Sequence, residues 1–304
     1  MIDEYVHGSV DRISPEAPVQ VVDAHEEEET LGGGGNVVKN LRTLGAEASV
    51  LSVVGEGEHG SKIQDQLRGY DVSLENIFEE EGRVSSKKTR ILAESYNQQI
   101  IRVDRETRED LQSDTYDKLM ERYDEMLPSL DAIVLSDYGK GLLTPKFSRN
   151  ILKKADRNDV PTVVDPKGDD YGKYTEASII TPNTDEAEEV TGISIEDESS
   201  LQKAGSKMLK QHSAGAILIT RGSEGMALFE TPGLSFERFE ARAREVYDVT
   251  GAGDTVVSMV ALGLAVSDDY PTAARLANVA AGIVVGKVGT ATVTVEEIRE
   301  QLKD

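Results

Sequence analysis

The stretch Asp248-Val249-Thr250-Gly251-Ala252-Gly253-Asp254 is followed at once by an apolar run over residues 255–262. The run predicts a buried helix, and the glycines before it predict a turn that leaves backbone N–H groups free at the helix start. Free amides backed by the helix dipole favour a phosphate or a developing negative charge. Asp254 stands beside these donors, where a carboxylate can take the proton of an attacking hydroxyl. The alternative is that Asp254 simply caps the helix.

Two more glycine clusters lie upstream. Gly32-Gly33-Gly34-Gly35-Asn36 runs into an amphipathic helical pattern, which favours a second turn at a helix start over a flexible loop. The amide of Asn36 is both donor and acceptor and suits sugar hydroxyls. Gly55-Glu56-Gly57-Glu58-His59-Gly60 matches the dinucleotide fingerprint G-x-G-x-x-G. Its two glutamates would repel a pyrophosphate, so the match argues only weakly for a dinucleotide oxidoreductase.

A fourth motif, Asn183-Thr184-Asp185-Glu186, follows a short apolar strand at residues 179–180. A carboxylate at the C-terminal end of a strand can hold hydrated Mg²⁺ that carries phosphates. A capping box that merely starts a helix explains the same spacing. Taken from the residues alone, both interpretations stay open.

Short apolar strands alternate with helical patterns along the rest of the chain. Strands are predicted at residues 50–54, 132–135, 162–164, 179–180 and 216–219, and helices at 116–127, 147–157, 185–191 and 201–211. Strands that are apolar throughout predict an α/β fold with a mostly parallel sheet covered on both faces. Two segments outside this rhythm, 6–22 and 88–104, read as half-buried strands. They predict a small antiparallel sheet that covers one edge of the main domain as a lid.

The composition limits the possible partners. The 304 residues include 33 Lys+Arg and 56 Asp+Glu, a formal net charge of −23, which disfavours nucleic acid and anionic membranes. The acidic surface serves solubility or marks a salt-adapted protein whose carboxylates are screened by cations. The chain has no cysteine, which excludes thiolate nucleophiles and thiolate metal sites. With no long apolar run and no signal-peptide pattern, we expect a cytoplasmic protein that neither spans nor binds a membrane.

Together, the motifs at 32–36, 183–186 and 248–254, with Gly45 and Gly55, resemble those of the ribokinase-type (PfkB) carbohydrate kinase family. The resemblance covers nearly the whole chain, and the last motif is highly specific. It implies a ribokinase-like three-layer α/β/α sandwich with a mostly parallel central sheet and a small antiparallel β lid. It also implies a single kinase domain over residues 1–304, with lid segments at about 4–24 and 87–104.

Further stretches are similar to one branch of that family. They lie at residues 12–19, 97–99, 135–141 and 164–168. The enzymes of this branch phosphorylate O1 of D-glycero-β-D-manno-heptose 7-phosphate, in ADP-heptose synthesis for the lipopolysaccharide core. The resemblance therefore implies ATP as phosphoryl donor and this sugar phosphate as acceptor. A kinase of the same fold for another sugar or a nucleoside, and a non-catalytic sugar or nucleotide sensor, are the alternatives.

The resemblance also implies roles for single residues. It makes Asp254 the catalytic base and gives the anion hole to Gly251, Ala252 and Gly253. The nucleotide-binding residues that it implies are Asn183, Glu186, Thr220, Gly222, Gly225 and Asn278. The sugar-binding residues that it implies are Asp3, Arg12, Gly32, Gly33, Asn36, Gln98, Arg102, Asp137, Lys140 and Lys167. The metal-site residues that it implies are Glu186, for Mg²⁺ held through water, and Asp248 and Thr250, for a monovalent cation such as K⁺.

Basic residues are the members of this set that suit a substrate already bearing a phosphate. They stand out because the chain as a whole is strongly acidic. We expect Arg102, Lys140 and Lys167 to be among the residues that clamp the 7-phosphate.

Two differences from the family pattern lead to further expectations. Relatives carry an apolar strand ending in Gly-Asp ahead of the segment that matches Met1-Ile2-Asp3. We therefore expect that a first core strand is missing before Met1 because the start codon was assigned too late. Many relatives continue into a C-terminal nucleotidyltransferase domain, so we expect a kinase alone. Because open strand edges favour pairing, and relatives often pair through their lids, we expect a homodimer through the lid strands.

Overall fold

The computed structural model of the chain describes residues 1–93, 98–231, 233–242, 246–287 and 289–303. Asn97, in one of the branch motifs, lies outside the described residues. The strands are β1 (Ile2–Ile13), β2 (Gln20–Leu31), β3 (Ser52–Gly55), β4 (Ile77–Glu80), β5 (Lys87–Ala93), β6 (Gln98–Arg105), β7 (Ile133–Ser136), β8 (Thr162–Asp165), β9 (Ile179–Ile180), β10 (Ala216–Thr220), β11 (Met226–Glu230) and β12 (Ser235–Phe239). The helices are α1 (Gly34–Thr43), α2 (Glu58–Gly69), α3 (Ser113–Met126), α4 (Pro145–Asp156), α5 (Thr184–Thr191), α6 (Glu198–His212), α7 (Ala252–Val266), α8 (Tyr270–Val284) and α9 (Val295–Gln301).

Six strands form the main sheet in the order β12-β11-β10-β9-β8-β7. Strands β7 to β10 run parallel, and β11 and β12 extend the sheet antiparallel at one edge. Successive side chains of a strand point to opposite faces, so Val163 packs into one apolar cluster and Val164 into the other. Helices α3 to α6 cover one face, and α7 and α8 cover the other. The predicted α/β/α sandwich with a mostly parallel sheet is confirmed.

The parallel strands all end at the same edge of the sheet. Strands β7, β8 and β10 end there at Ser136, Asp165 and Thr220. In open parallel sheets this edge is where ligands bind, because the loops after the strands converge on it. The predicted motifs at 183–186 and 248–254 are placed against this edge, as the contacts below show.

A second sheet of four strands, in the order β2-β1-β5-β6, forms the lid. Its outer pairs β1–β2 and β5–β6 are antiparallel, as predicted, but its central pair β1–β5 is parallel. The prediction of a purely antiparallel lid is wrong at this pair. Between β1 and β5 the chain passes through β2, α1, β3, α2 and β4, and so long a connection can return a strand in the same direction. The lid strands extend over residues 2–31 and, in their described part, 87–105.

Strands β3 and β4 form a separate parallel pair, and the glycines of the dinucleotide-like motif lie at its end. A Cβ on Gly55 would stand 1.7 Å from the carbonyl oxygen of Arg83, and one on Gly60 would stand 2.1 Å from that of Gly55. The Gly55 amide donates to the Ser85 hydroxyl at 2.8 Å. Close backbone packing therefore explains these glycines without a dinucleotide.

Within the described residues, β3 pairs only with β4, and β7 pairs only with β8. The expected additional strand before Met1 stays a prediction. In the part of the chain that the structure describes, no helix combines the length and the apolar character that a membrane crossing needs.

Candidate active site

Helix α7 presents its N-terminus to the ligand-binding edge of the sheet. Its N-cap is Gly251, which has φ +78°, a left-handed conformation that glycine adopts without strain. A Cβ there would also stand 2.5 Å from Nδ2 of Asn36, so the close approach of α1 and α7 requires glycine at this position. By contrast, a Cβ on Gly253 would meet nothing within 4 Å. The space beside Gly253 is therefore open, as an anion hole requires, whereas the Ala252 amide already donates to the carbonyl of Val249 at 3.2 Å.

The Asp254 side chain is buried, with 8% of the residue exposed, and two donors hold its carboxylate. Nδ2 of Asn36 donates to Oδ2 at 2.9 Å, and the Tyr138 hydroxyl donates to Oδ1 at 2.9 Å. Burial raises the pKa of Asp254 to about 6; the two donated hydrogen bonds oppose this rise, and the charge of Asp3 adds to it. Above that pH the carboxylate is ionised and can accept a proton.

The four-glycine turn lets several chain segments meet beside Asp254. A Cβ on Gly32 would stand 2.0 Å from the carboxylate of Asp3, and one on Gly33 would stand 3.0 Å from the Tyr138 ring. The Asn36 side chain is fully buried, and its Oδ1 finds no hydrogen-bond partner among the described residues. That oxygen is available to a sugar hydroxyl.

Asp3 itself is fixed by an ion pair with Arg90 of β5, at 2.6 Å between Oδ1 and Nη1. The Arg90 guanidinium also lies over the ring of Tyr5, 5.3 Å from its centroid. Both partners lie on the lid, so the predicted sugar ligand Asp3 is positioned by the lid sheet.

On the other side of the site, α5 begins at Asn183 with a complete capping box. Oδ1 of Asn183 accepts from the Glu186 amide at 2.9 Å, and the Glu186 carboxylate accepts from the Asn183 amide at 3.1 Å. The capping interpretation is therefore correct. It does not exclude the functional one, because among the described residues Oε1 of Glu186 is held only by the exposed cation of Lys167, at 3.1 Å.

The sequence of almost the whole chain matches one family of enzymes. The model of the family described as "pfkB family carbohydrate kinase" matches residues 2–297. The chain belongs to the pfkB family of carbohydrate kinases. Its enzyme class is therefore that of an ATP-dependent sugar kinase.

Among curated relatives of this pfkB kinase, "Bifunctional protein HldE" of Desulfatibacillum aliphaticivorans is 46% identical over 304 residues, 100% of this chain and 62% of the relative. The protein of the same name from Geotalea uraniireducens is 48% identical over 298 residues, 98% of this chain and 60% of the relative. The chain thus spans about three fifths of the length of these relatives.

Solved structures show the same fold at low sequence identity. Phosphofructokinase-2 from Escherichia coli in complex with potassium has a TM-score of 0.81 at 18% identity and covers 99% of this chain and 95% of its own. Arabidopsis thaliana ribokinase complexed with ribose and ATP has a TM-score of 0.78 at 21% identity, with 100% and 96% covered. At such identities the likeness concerns the fold alone.

The remaining nucleotide residues predicted for the pfkB kinase line the end of β10 and the loop after it. Thr220 bridges to Asn183, so it lies beside the capping box. Gly222 and Gly225 have φ +54° and +80°, and a Cβ on Gly225 would stand 1.9 Å from the carbonyl oxygen of Phe239. The last residue of the predicted set, Asn278, lies on α8 and is held by the backbone: its Nδ2 donates to the carbonyl of Glu240 at 2.7 Å.

The predicted sugar residue Asp137 has surroundings that do not support that role. Its carboxylate is buried and accepts from the Gly139 amide at 2.7 Å, the Lys173 ammonium at 2.5 Å and the Tyr174 hydroxyl at 2.6 Å. With these bonds made, Asp137 anchors the loop after β7, and its role toward the sugar stays a prediction.

The predicted basic residues are spread out and already carry acidic partners. Lys140 pairs with Glu106 at 2.6 Å, and Arg102 makes two bonds to Asp104, at 2.9 and 3.1 Å. Gln98 is exposed on β6. Arg12 lies nine residues beyond Asp3 on β1, which separates the two by roughly 30 Å at about 3.3 Å per residue, so a single copy of the chain does not bring them together.

The predicted cation residue Asp248 is held by backbone donors. Its Oδ1 accepts from the Thr250 amide at 2.9 Å and its Oδ2 accepts from the Gly289 amide at 3.1 Å. Burial alone would raise its pKa, but these hydrogen bonds outweigh burial, and the pKa is lowered. The carboxylate stays charged and orders the chain before α7; its role toward K⁺ stays a prediction.

Two residues of the site were missed from the sequence, Tyr138 and Asp165. Both belong to motifs used for the branch resemblance, at 135–141 and 164–168, but local spacing shows no partner for either. Burial, with the negative charges of Asp254 and Glu186, raises the pKa of Asp165 well above its usual range. Asp165 therefore lies within electrostatic range of both Asp254 and Glu186. No cluster of three or more potential metal ligands occurs among the described residues, so direct protein chelation of a metal is not seen.

Proposed function

We propose that this pfkB kinase transfers the γ-phosphoryl group of ATP to O1 of D-glycero-β-D-manno-heptose 7-phosphate and forms the 1,7-bisphosphate, in the synthesis of ADP-heptose for the lipopolysaccharide core. One observation carries the kinase chemistry: a buried carboxylate, Asp254, is held by two donors beside an open glycine turn at the start of α7. The choice of sugar is supported by the 46–48% identity to proteins named HldE.

The chemistry follows from the arrangement of Asp254 and the glycine turn. The carboxylate takes the proton of the O1 hydroxyl while that oxygen attacks the γ-phosphorus; the bond from phosphorus to the β,γ-bridging oxygen breaks, and ADP leaves. The amides of Gly251 and Gly253 stabilise the charge on the transferred group, and that of Ala252 would join them only by giving up its bond to the Val249 carbonyl. Because the pKa of Asp254 is about 6, the base is mostly ionised at neutral pH.

The phosphate side fits a divalent cation. Asp165 and Glu186 repel each other, and this repulsion helps to raise the pKa of Asp165, so added positive charge would be favourable there. Mg²⁺ bound with ATP neutralises charge on the β- and γ-phosphates. Asn183 and Glu186 would hold it through water, since no direct three-ligand cluster is present among the described residues.

The 7-phosphate of the sugar needs basic side chains that can exchange an acidic partner in the protein for the phosphate. Arg102, Lys140 and Lys167 are all partly exposed, and each is paired with an acidic side chain. Exposed ion pairs contribute little to stability, so a phosphate can replace the carboxylates that pair with Arg102 and Lys167 at small cost, whereas the more buried pair of Lys140 with Glu106 costs more to exchange. We expect Arg102→Ala, Lys140→Ala or Lys167→Ala to raise the KM for heptose 7-phosphate at least tenfold while the KM for ATP stays within twofold. Unchanged sugar KM values in all three variants would contradict the proposal that these residues bind the 7-phosphate.

A homodimer through the lid and a cytoplasmic location complete the proposal. The lid exposes the apolar side chains of Ile13, Val19, Ile101 and Val103, and its outer strands β2 and β6 have open edges among the described residues. The requirement for ATP supports a cytoplasmic reaction. Light scattering of the purified chain should give a mass of about twice the 33.0 kDa protomer; the mass of one protomer would contradict the dimer.

A substrate panel tests the proposed function. ADP release is measured with heptose 7-phosphate, fructose 6-phosphate, mannose and ribose, with Asp254→Asn as the inactive control. We expect kcat/KM for heptose 7-phosphate to exceed that for mannose and ribose, which carry no phosphate, at least 10²-fold, the scale on which a site that binds a polar group rejects an analogue lacking it. It should also exceed the value for fructose 6-phosphate. A higher value for ribose or fructose 6-phosphate would assign the site to another sugar of the same kinase family.

A further inference from the structure

The loop after β7 is anchored by hydrogen bonds to the side chain of its first residue, Asp137. The buried Asp137 carboxylate bonds the Gly139 amide, the Lys173 ammonium and the Tyr174 hydroxyl. Gly139 has φ +62°, which allows the chain to turn sharply there. The residue between them, Tyr138, therefore leaves the loop in a fixed direction.

The Tyr138 side chain is fixed at its other end as well. Its ring lies against the glycine turn, where a Cβ on Gly33 would meet it at 3.0 Å. Its hydroxyl donates to Oδ1 of Asp254 at 2.9 Å, while Asn36 donates to Oδ2 at the same distance. Each carboxylate oxygen thus has one donor, and the two donors come from different chain segments.

We propose that Tyr138 is a positioning residue for Asp254: its phenol fixes Oδ1 while Asn36 fixes Oδ2, and the carboxylate plane stays turned toward the sugar alcohol. A carboxylate with one fixed oxygen can still rotate about its Cβ–Cγ bond, whereas one with both oxygens fixed cannot. The inference rests on the proposed role of Asp254 as the base, and it adds Tyr138 as the residue that orients the Asp254 carboxylate.

The charged groups around Asp254 determine how loss of the Tyr138 hydroxyl changes the pKa of Asp254. From β1 it faces the Asp3 carboxylate, from α1 the Lys39 ammonium, and from β8 the Asp165 carboxylate; the amino group of Met1 also lies within electrostatic reach. Among these groups Tyr138 contributes a neutral donor, because burial raises its own pKa far above its usual range and keeps the hydroxyl protonated. A donor to an ionised carboxylate lowers the pKa of that carboxylate, so its removal should raise the pKa of Asp254.

The test uses Tyr138→Phe, which keeps the ring against Gly33 and removes only the hydroxyl. Aspartate is labelled with ¹³C at its carboxyl, the Asp254 signal is assigned by its loss in Asp254→Asn, and its titration is followed by NMR without any substrate. We expect the pKa of Asp254 to rise by about one unit, which is ~1.4 kcal/mol. Tyr123→Phe is the matched control, since its hydroxyl donates to the Ile151 carbonyl at 2.9 Å in the core, away from Asp254; it should leave the titration unchanged.

A kinetic measurement separates positioning from structure. With the best sugar of the panel, we expect Tyr138→Phe to lower kcat about tenfold at a pH well above the titration, with the KM for ATP within twofold. An Asp254 titration and a kcat both equal to those of the wild type would overturn the role of Tyr138. If no sugar is phosphorylated, the proposed function fails, and the NMR titration still decides whether Tyr138 holds the carboxylate.

Discussion

Replacing Asp254 by asparagine should abolish turnover and at the same time stabilise the fold. The side chain is buried, and its pKa is raised from 3.8 to about 6, chiefly by burial. The folded protein therefore binds this proton more tightly than the unfolded chain, and the ionised carboxylate destabilises the folded state above pH 6. The destabilisation disappears as the pH falls below 3.8, where both states are protonated.

The size of the effect follows from the shift. Roughly two pKa units at 1.36 kcal/mol each correspond to ~3 kcal/mol of stability that asparagine regains at pH 8. At pH 5 the ionised fraction in the folded state is small, and the gain falls to roughly half of that value. The amide of asparagine can still bond both neighbours, because the hydroxyl of Tyr138 is able to accept as well as donate.

Urea unfolding of both proteins at pH 8 and pH 5 measures this difference, and coupled ADP release measures activity. We expect kcat to fall at least 10²-fold, the usual effect of losing a general base, while the free energy of unfolding rises. Asp65→Asn, at an exposed ion pair with Arg68, is the control and should change stability little. A variant that is less stable than the wild type at pH 8, or a gain of equal size at both pH values, would refute the reasoning.

Three other predictions concern the same region. The kcat of the wild type should fall on the acid side with an apparent pKa near 6, as Asp254 takes up its proton; a profile flat down to pH 5 would assign the proton transfer to another group. Gly251→Ala should lower the melting temperature, because the left-handed backbone and the Asn36 amide 2.5 Å away both oppose a methyl group. Gly253→Ala should keep the melting temperature and lower kcat, because its methyl group enters the open anion hole. Asp137→Ala should lower the free energy of unfolding in chemical denaturation by about 3–5 kcal/mol, because it leaves the cation of Lys173 without its buried partner. A variant of wild-type stability with a raised KM for the sugar would instead support a role of Asp137 in sugar binding.

Local sequence patterns predicted the parts of the site that lie within one turn of a helix. The glycine turn before α7 and the capping box at Asn183 follow from spacing alone, because their hydrogen bonds join residues three or four positions apart. At Asn183 both alternatives proved compatible, since the cap leaves one oxygen of Glu186 to an exposed lysine. The α/β architecture was equally predictable, because strands covered on both faces need continuous apolar runs.

Contacts between distant segments could not be predicted in this way. The bond from Tyr138 to Asp254 spans 116 positions and the pair of Arg90 with Asp3 spans 87. The parallel pairing of β1 with β5 has the same cause, since strand direction depends on the path of the chain between them and not on the residues of either strand. Charge alone was also a poor guide to side-chain partners, because Lys140 and Asp137 are each paired with neighbours that only the fold brings close.

Strand β1 links the rim of the molecule mechanically to its catalytic centre. The twelve residues from Ile2 to Ile13 form one continuous strand, with Asp3 beside the glycine turn at one end and an exposed tip at the other. Pairing with β2 and β5 connects the tip along this strand to Asp3 and its partner Arg90, although the register with β2 shifts between His7 and Gly8 and again between Ser9 and Arg12. We therefore expect a second subunit or an engineered binder that displaces the tip to move Asp3, and with it to change the KM for the proposed sugar substrate.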